Sequence, residues 1–197
     1  MAKLQRTTFK TSRAAQYVEA RALQAMTGQS RGHFADVVVK ELVDNALDAC
    51  ETAGVPPEVG LEVARNGQGI RIAVTDNGSG IPPETVRGAL DFDVFVSDKA
   101  AYRSPTHGAQ GNALKTVVGI PYALGCSEPV IVEAQGTRHT IRAWVDPAGE
   151  LRVEHDEGGA SRTTGTRVSL ALPVENQDFH PAFWARSIAL FNPHATV

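Results

Sequence analysis

Twenty consecutive residues, Phe34 to Ala53, read "FADVVVKELVDNALDACETA" without a glycine or proline and stop at "GVPP". The pattern predicts one long helix over this stretch. At about 100° per residue, Glu41, Asp44, Asn45 and Asp48 gather in one narrow stripe. Val38, Val39, Leu42, Val43, Ala46, Leu47, Ala49 and Cys50 fill the opposite arc. A helix with so wide an apolar face must lie on a core, with the stripe at its edge. A solvated acidic face is the ordinary explanation of such a stripe. Here no Lys or Arg stands four residues after the acids to pair them, and Asn45 is a poor helix former. Carboxylates and an amide oxygen on one line also suit a hard cation and a water to be activated.

The rest of the chain divides by period. Residues 1–11 read as an arm, carrying Lys3, Arg6 and Lys10, with Arg13 just beyond; no acid precedes Glu19. A helix capped by Ser12 is expected to run to about Thr27 and end at Gly28. After the long helix, "EVGLEVARN" and "GIRIAVTD" read as two strands joined at "NGQG". "NGSGIPPE" turns into a short helix over Pro83–Ala89, with proline at its start. Residues 90–110 show no period, and a connection that long is usually functional or mobile. "GNALKTVVGIPYALG" reads as a helix. "PVIVEAQG", "RHTIRAWVD", "GELRVEHDE" and "GTRVSLALP" read as four strands, and "FHPAFWARSIALF" as a closing helix. "NPHATV" looks like a strand just beginning, so the chain reads as a piece of a longer protein, with one domain over 12–197.

With 197 residues, 42% hydrophobic and 21% charged, the chain suits a globular domain with a sizeable core. Its net charge of −3 implies no whole-surface attraction to nucleic acid. Two cysteines without a CxxC, no signal peptide and no long apolar run point to the cytoplasm and away from membranes. The six histidines show no metal-ligand spacing, so no zinc site is expected.

Two further stretches carry chemistry. In "VTDNGSGIP", Asp76 ends a strand, and Gly78 and Gly80 follow. A plain glycine turn reads this way. So does a carboxylate placed to accept from an exocyclic amine, with glycines letting a flat ring approach the backbone. In "SPTHGAQGNALKT", Gly108 and Gly111 precede a helix whose first amides are free for an anion, and Lys115 adds charge one turn in. The P-loop pattern fails, because Leu114 stands where its glycine belongs. The dinucleotide fingerprint fails as well, since no early βαβ unit opens on these glycines.

Taken in order, "ELVDNALDA", "DNGSG", a long loop, "GAQG" before a helix and a late "GT" resemble the GHKL ATPases. That superfamily includes gyrase B subunits, ATP-driven heat-shock chaperones and histidine kinases. The resemblance is nearest to the B subunits of topoisomerase VI and covers roughly residues 10–196. It implies a Bergerat-type two-layer α/β sandwich, a mixed sheet covered on one face by helices. It implies Mg2+-dependent ATP binding and hydrolysis, closure of a lid, and pairing of two copies. Glu41 would be the general base, Asn45 the Mg2+ ligand and Asp48 a supporting group. Asp76 would accept from the adenine amine, with Gly78, Gly80, Ile81 and Thr166 around the base. Lys99 of the lid and Gly108, Ala109, Gln110, Gly111, Asn112 and Lys115 would surround the phosphates.

Two departures qualify this. Ala113 stands where the family usually has a further glycine, and the transducer domain that supplies a lysine to the γ-phosphate would follow residue 197. The resemblance also implies a topoisomerase VI A-like subunit and DNA as partners of a longer chain. The alternative is a nucleotide-dependent interaction switch that does not hydrolyse. A histidine kinase would need a phosphoacceptor domain for which this chain has no room.

Overall fold

A computed structural model describes residues 14–67, 69–92, 113–173 and 179–197. A 3-10 helix, Ala14–Val18, leads into α1 (Ala20–Thr27). The single helix expected from Ser12 is therefore interrupted at Glu19, which is extended at φ −100° and ψ 122°. The interruption lets Ala14, Tyr17 and Val18 reach the core as well as Leu23. Ser12 and the arm lie outside the described residues. α1 ends as predicted on Gly28, at φ 69°.

The long helix, α2, spans Phe34–Ala53, and left-handed Gly54 closes it by donating to the Cys50 and Glu51 carbonyls. Its apolar arc is buried, from Phe34 through Val38, Leu42 and Ala46 to Cys50. The short helix α3 is Pro83–Ala89, α4 is Ala113–Ala123 and α5 is Pro181–Phe191. Among the described residues no helix is long and apolar enough to cross a membrane.

All six strands marked by the pattern are present: β1 (Gly60–Asn66), β2 (Gly69–Thr75), β3 (Val130–Ala134), β4 (Thr137–Val145), β5 (Leu151–Gly159) and β6 (Thr166–Pro173). They form one sheet in the order β1-β2-β6-β3-β4-β5. The last strand in sequence thus sits near the middle. Every ladder is antiparallel. The parallel component of the expected mixed sheet is confined, among the described residues, to one bridge, Glu58 with Thr196, which is where "NPHATV" meets the chain.

Alternation puts one face of this sheet under the helices. The row Val74, Val168, Val132, His139 and Glu157 crosses five strands in register on that face. Ile72 with Leu170, and Val130 with Ile141, make the neighbouring rows. α2 and α4 pack on them, and the 3-10 helix lies over β4 and β5. The opposite face carries paired charges instead, including Glu62 with Arg167 at 2.6 Å and Arg142 with Glu154 at 2.9 Å. This is the expected two-layer α/β sandwich. α5 lies at the β1 edge, where Trp184 Nε1 donates to Asp36 of α2 at 2.6 Å and Arg65 donates to the Phe179 carbonyl.

Candidate functional site

At one end of the sheet, the turn after β2 is clamped to the start of β6. The backbone N–H of Asp76 donates to the Thr166 carbonyl at 2.9 Å, and Gly165 N–H to the Gly78 carbonyl at 3.0 Å. The Asp76 side chain completes the clamp: Oδ1 accepts from Gly78 N–H at 2.9 Å and from Thr166 N–H at 3.1 Å. Residues 90 positions apart therefore form one unit. Asp76 is only 7% exposed. Burial pushes its pKa above the ordinary value, while the two backbone N–H groups and the Arg162 charge pull the other way. The Thr166 hydroxyl is fully buried on the helix-covered face and lacks a hydrogen bond of good geometry. Its interaction with the Asp76 carboxylate also draws the Asp76 pKa down. A buried carboxylate and a hydroxyl side by side fit a ligand edge with a donor next to an acceptor, as on an aminopurine.

The glycines here serve packing. A Cβ on Gly78 would come within 2.8 Å of the Ala49 backbone, so its absence lets the turn sit directly on α2. Gly80 adopts φ 78° beside the Gly165 carbonyl and Gln135. Ile81 is partly buried against the core. The close approach expected of a flat ring is thus matched by close approach of the protein to itself.

On α2, the contact of Ala49 with Gly78 sets the polar stripe against the turn. Asp48 is buried at that level. Asn45 and Glu41, both half-buried, follow toward the helix start. Glu41 lies seven residues, hence about 10 Å of helix axis, from Asp48. Asp44 departs from expectation. Lys40 Nζ is 2.9 Å from its Oδ2 and 3.5 Å from Glu41 Oε1. A base four residues before an acid also pairs with it, so Asp44 belongs to a surface ion pair rather than to an unpaired stripe.

Lys115 is placed differently from what its position one turn into a helix suggests. It is 1% exposed, its Nζ donates to the Asp91 carbonyl at 2.6 Å, and it stands 5.8 Å from the ring centres of Tyr17 and Phe92. It ties α4 to the chain that enters the long loop. Lys99, Gly108, Ala109, Gln110, Gly111 and Asn112 lie outside the described residues, as does the lid beyond Phe92.

Two residues that the motifs did not flag hold the site. Asn77 Oδ1 accepts from Glu58 N–H and Cys50 Sγ, each at 3.0 Å, and its Nδ2 donates to the Pro56 carbonyl at 3.0 Å. Gln135, at φ 47°, donates to the Ser79 and Gly80 carbonyls at 3.2 Å. The "QG" between two strands marks its turn, but nothing local shows which backbone it reaches.

The sequence of the chain is similar to those of known proteins. The chain is 51% identical over 169 residues to the type 2 DNA topoisomerase 6 B subunit of Archaeoglobus fulgidus, covering 81% of this chain and 28% of that protein. It is 29% identical over 192 residues to the corresponding protein of Thermococcus kodakarensis, covering 89% and 32%. For that of Natronomonas pharaonis the identity is 30%, over 81% and 21%. The chain thus spans a third or less of the length of these relatives. Residues 32–176, which include α2, the Asp76 turn and Thr166, match one family along their whole length, and the chain belongs to it: the histidine kinase-, DNA gyrase B- and HSP90-like ATPases.

Proposed function

We propose that this chain is the ATP-binding module of a topoisomerase VI B-like protein, that it takes ATP with Mg2+, and that it hydrolyses ATP. The observation that carries the reading is the buried pair formed by the Asp76 carboxylate and the Thr166 hydroxyl at the end of the sheet. Asp76 Oδ2 accepts from the exocyclic amine, and the Thr166 hydroxyl turns to a ring nitrogen. Oδ1 is fixed by two backbone N–H groups, so the acceptor is oriented before the ligand arrives.

The phosphates then extend along α2. Asn45 offers its amide oxygen to Mg2+, which supplies Lewis-acid polarisation of the phosphoryl oxygens when bound. Glu41, on the same stripe and one turn away, accepts the proton of the attacking water. Lys40 Nζ stands 3.5 Å from its Oε1. Asp48 supports the turn side of the site. The 108–112 loop and Lys99 wrap the phosphates and close over them, and closure pairs two copies. Lys115 has N–H groups to offer them besides the one that reaches the Asp91 carbonyl. In a longer chain, a topoisomerase VI A-like subunit and DNA are the partners this reading implies.

The test is the Asp76→Asn variant. Asn keeps the Oδ1 acceptor that the clamp needs and puts a donor where Oδ2 stood. ATP with Mg2+ should raise the melting temperature of the native chain, and the variant should lose about 1.5–3 kcal/mol of binding, the worth of a hydrogen bond to a charged group. Equal stabilisation by GTP would sink the assignment of Asp76, because guanine presents a carbonyl where adenine presents its amine.

A further inference from the structure

A second cluster lies at the other end of the five-strand row. His139 on β4 and His155 and Glu157 on β5 face the same side of the sheet. His139 Nδ1 is 2.9 Å from His155 Nε2 and 3.6 Å from Glu157 Oε1, and His155 Nε2 is 3.8 Å from Glu157 Oε1. With metal–ligand bonds of about 2.0–2.1 Å, tetrahedral ligand atoms stand about 3.3 Å apart. The observed edges bracket that spacing. Two imidazoles and one carboxylate are a donor set that suits zinc and its neighbours rather than magnesium or calcium.

We infer that His139, His155 and Glu157 form a binding site for a zinc-class divalent ion, distinct from the nucleotide site. His139 is fully buried and fixed, whereas His155 is 17% exposed and Glu157 30%, so the ion enters from their side with water as its fourth ligand. The ring planes of the two histidines are 24° apart, and their nitrogens meet head to head. In the metal-free state one N–H is shared between them. A turn of the freer His155 brings both lone pairs to one point.

Two features limit the affinity. The first is a competitor: Arg87 of α3 donates from Nε to Glu157 Oε1 at 2.6 Å and from its second nitrogen to Oε2 at 2.7 Å. An ion on Oε1 displaces the Nε bond. The second is the far side of His139. Metal on Nδ1 places the proton on Nε2, which is buried with no acceptor among the described residues. An absent partner of that kind typically costs about 10–100-fold in metal affinity. Binding is therefore linked to α3: the ion loosens the pair that ties this helix to β5, and α3 follows directly on the Asp76 turn.

The experiment titrates Zn2+ into chelator-treated chain, without nucleotide, by calorimetry, with Co2+ absorption as a report on tetrahedral nitrogen and oxygen ligation. One ion per chain is expected. His155→Gln and Glu157→Gln should each weaken it about tenfold or more. Arg87→Ala should tighten it several-fold, because the competitor is gone; a generic surface site would not respond that way. His33→Gln and His194→Gln, at exposed positions elsewhere, should leave it unchanged. Circular dichroism confirms that each variant folds, and only exposed or half-exposed groups are changed, so the buried His139 is left alone. Retention of full affinity in His155→Gln or Glu157→Gln overturns the site. So does the absence of one-to-one binding in the Arg87→Ala chain. None of these outcomes depends on whether ATP binds.

Discussion

Asp76 is kept in a state that its surroundings oppose. Its folded-state pKa is raised by burial, so between the ordinary value and the raised one the folded chain holds a proton that the unfolded chain has released. The stability from that proton is present at low pH and is lost as pH rises through the raised value. Above the raised value the charged carboxylate is a cost of folding, which a donor at the carboxylate offsets. The charged form is also the one that accepts from an amine. Adenosine affinity should therefore fall as pH drops through the raised value, by about tenfold per unit below it. Asp76→Asn should be weak and flat over the same range. Adenosine is the ligand to use because it has no phosphate to titrate, and an unchanged slope in the variant would count against Asp76 as the acceptor.

Glu41 separates enzyme from switch. Glu41→Gln should lower hydrolysis by about 10²–10⁴-fold and leave ATP affinity within a few-fold, since a general base acts on the water in the transition state. The assay belongs on the longest chain available, at saturating ATP. A variant as fast as wild type refutes the base assignment, and no turnover in either favours the non-hydrolysing switch. The placement of residues was legible wherever a short motif kept its partners nearby. Asp76 and Gly78 form a local turn, and Glu41, Asn45 and Asp48 lie on one helix. The Lys40–Asp44 pair escaped because the stripe looks unpaired when bases are sought only after the acids. The internal placement of Lys115 escaped for a different reason: helix position tells where a side chain starts, and only packing against Tyr17 and Phe92 tells where its end goes.

At the scale of elements, periodicity served well. α2 ends where "GVPP" requires, α3 begins on its proline, and all six strands fall on the alternating runs. What periodicity does not carry is how closely elements meet. A Cβ on Gly119 of α4 would lie 1.7 Å from the Tyr17 carbonyl oxygen, so this glycine is where the 3-10 helix seats on α4. In the sequence it is only a glycine inside a helical run. The break at Glu19 is the other half of the same contact. Cross-strand register is equally silent in one dimension: His139 and His155 are 16 residues apart, and only the ladder between β4 and β5 makes them neighbours.

At the scale of the molecule, the sheet is two pieces and a join. β1 with β2 is a hairpin and β3-β4-β5 a meander, each formed from neighbours in sequence. Neither touches the other until β6 is laid between β2 and β3. Closing that loop costs entropy before any contact repays it, so the join comes late in folding. A chain ending at residue 164 should show a broad, weakly cooperative melt that ATP does not shift. One carried through β6 and α5 to Val197 should keep both a sharp transition and the shift. An ATP response from the shorter chain would disprove the dependence. The clamp between Asp76 and Thr166 then has a meaning in time as well as in space. Until β6 is made, the Asp76 carboxylate lacks one of the two backbone donors that orient it, because Thr166 belongs to the last strand of this sheet to emerge. Nucleotide can be held, on this reading, only once β6 has joined the sheet.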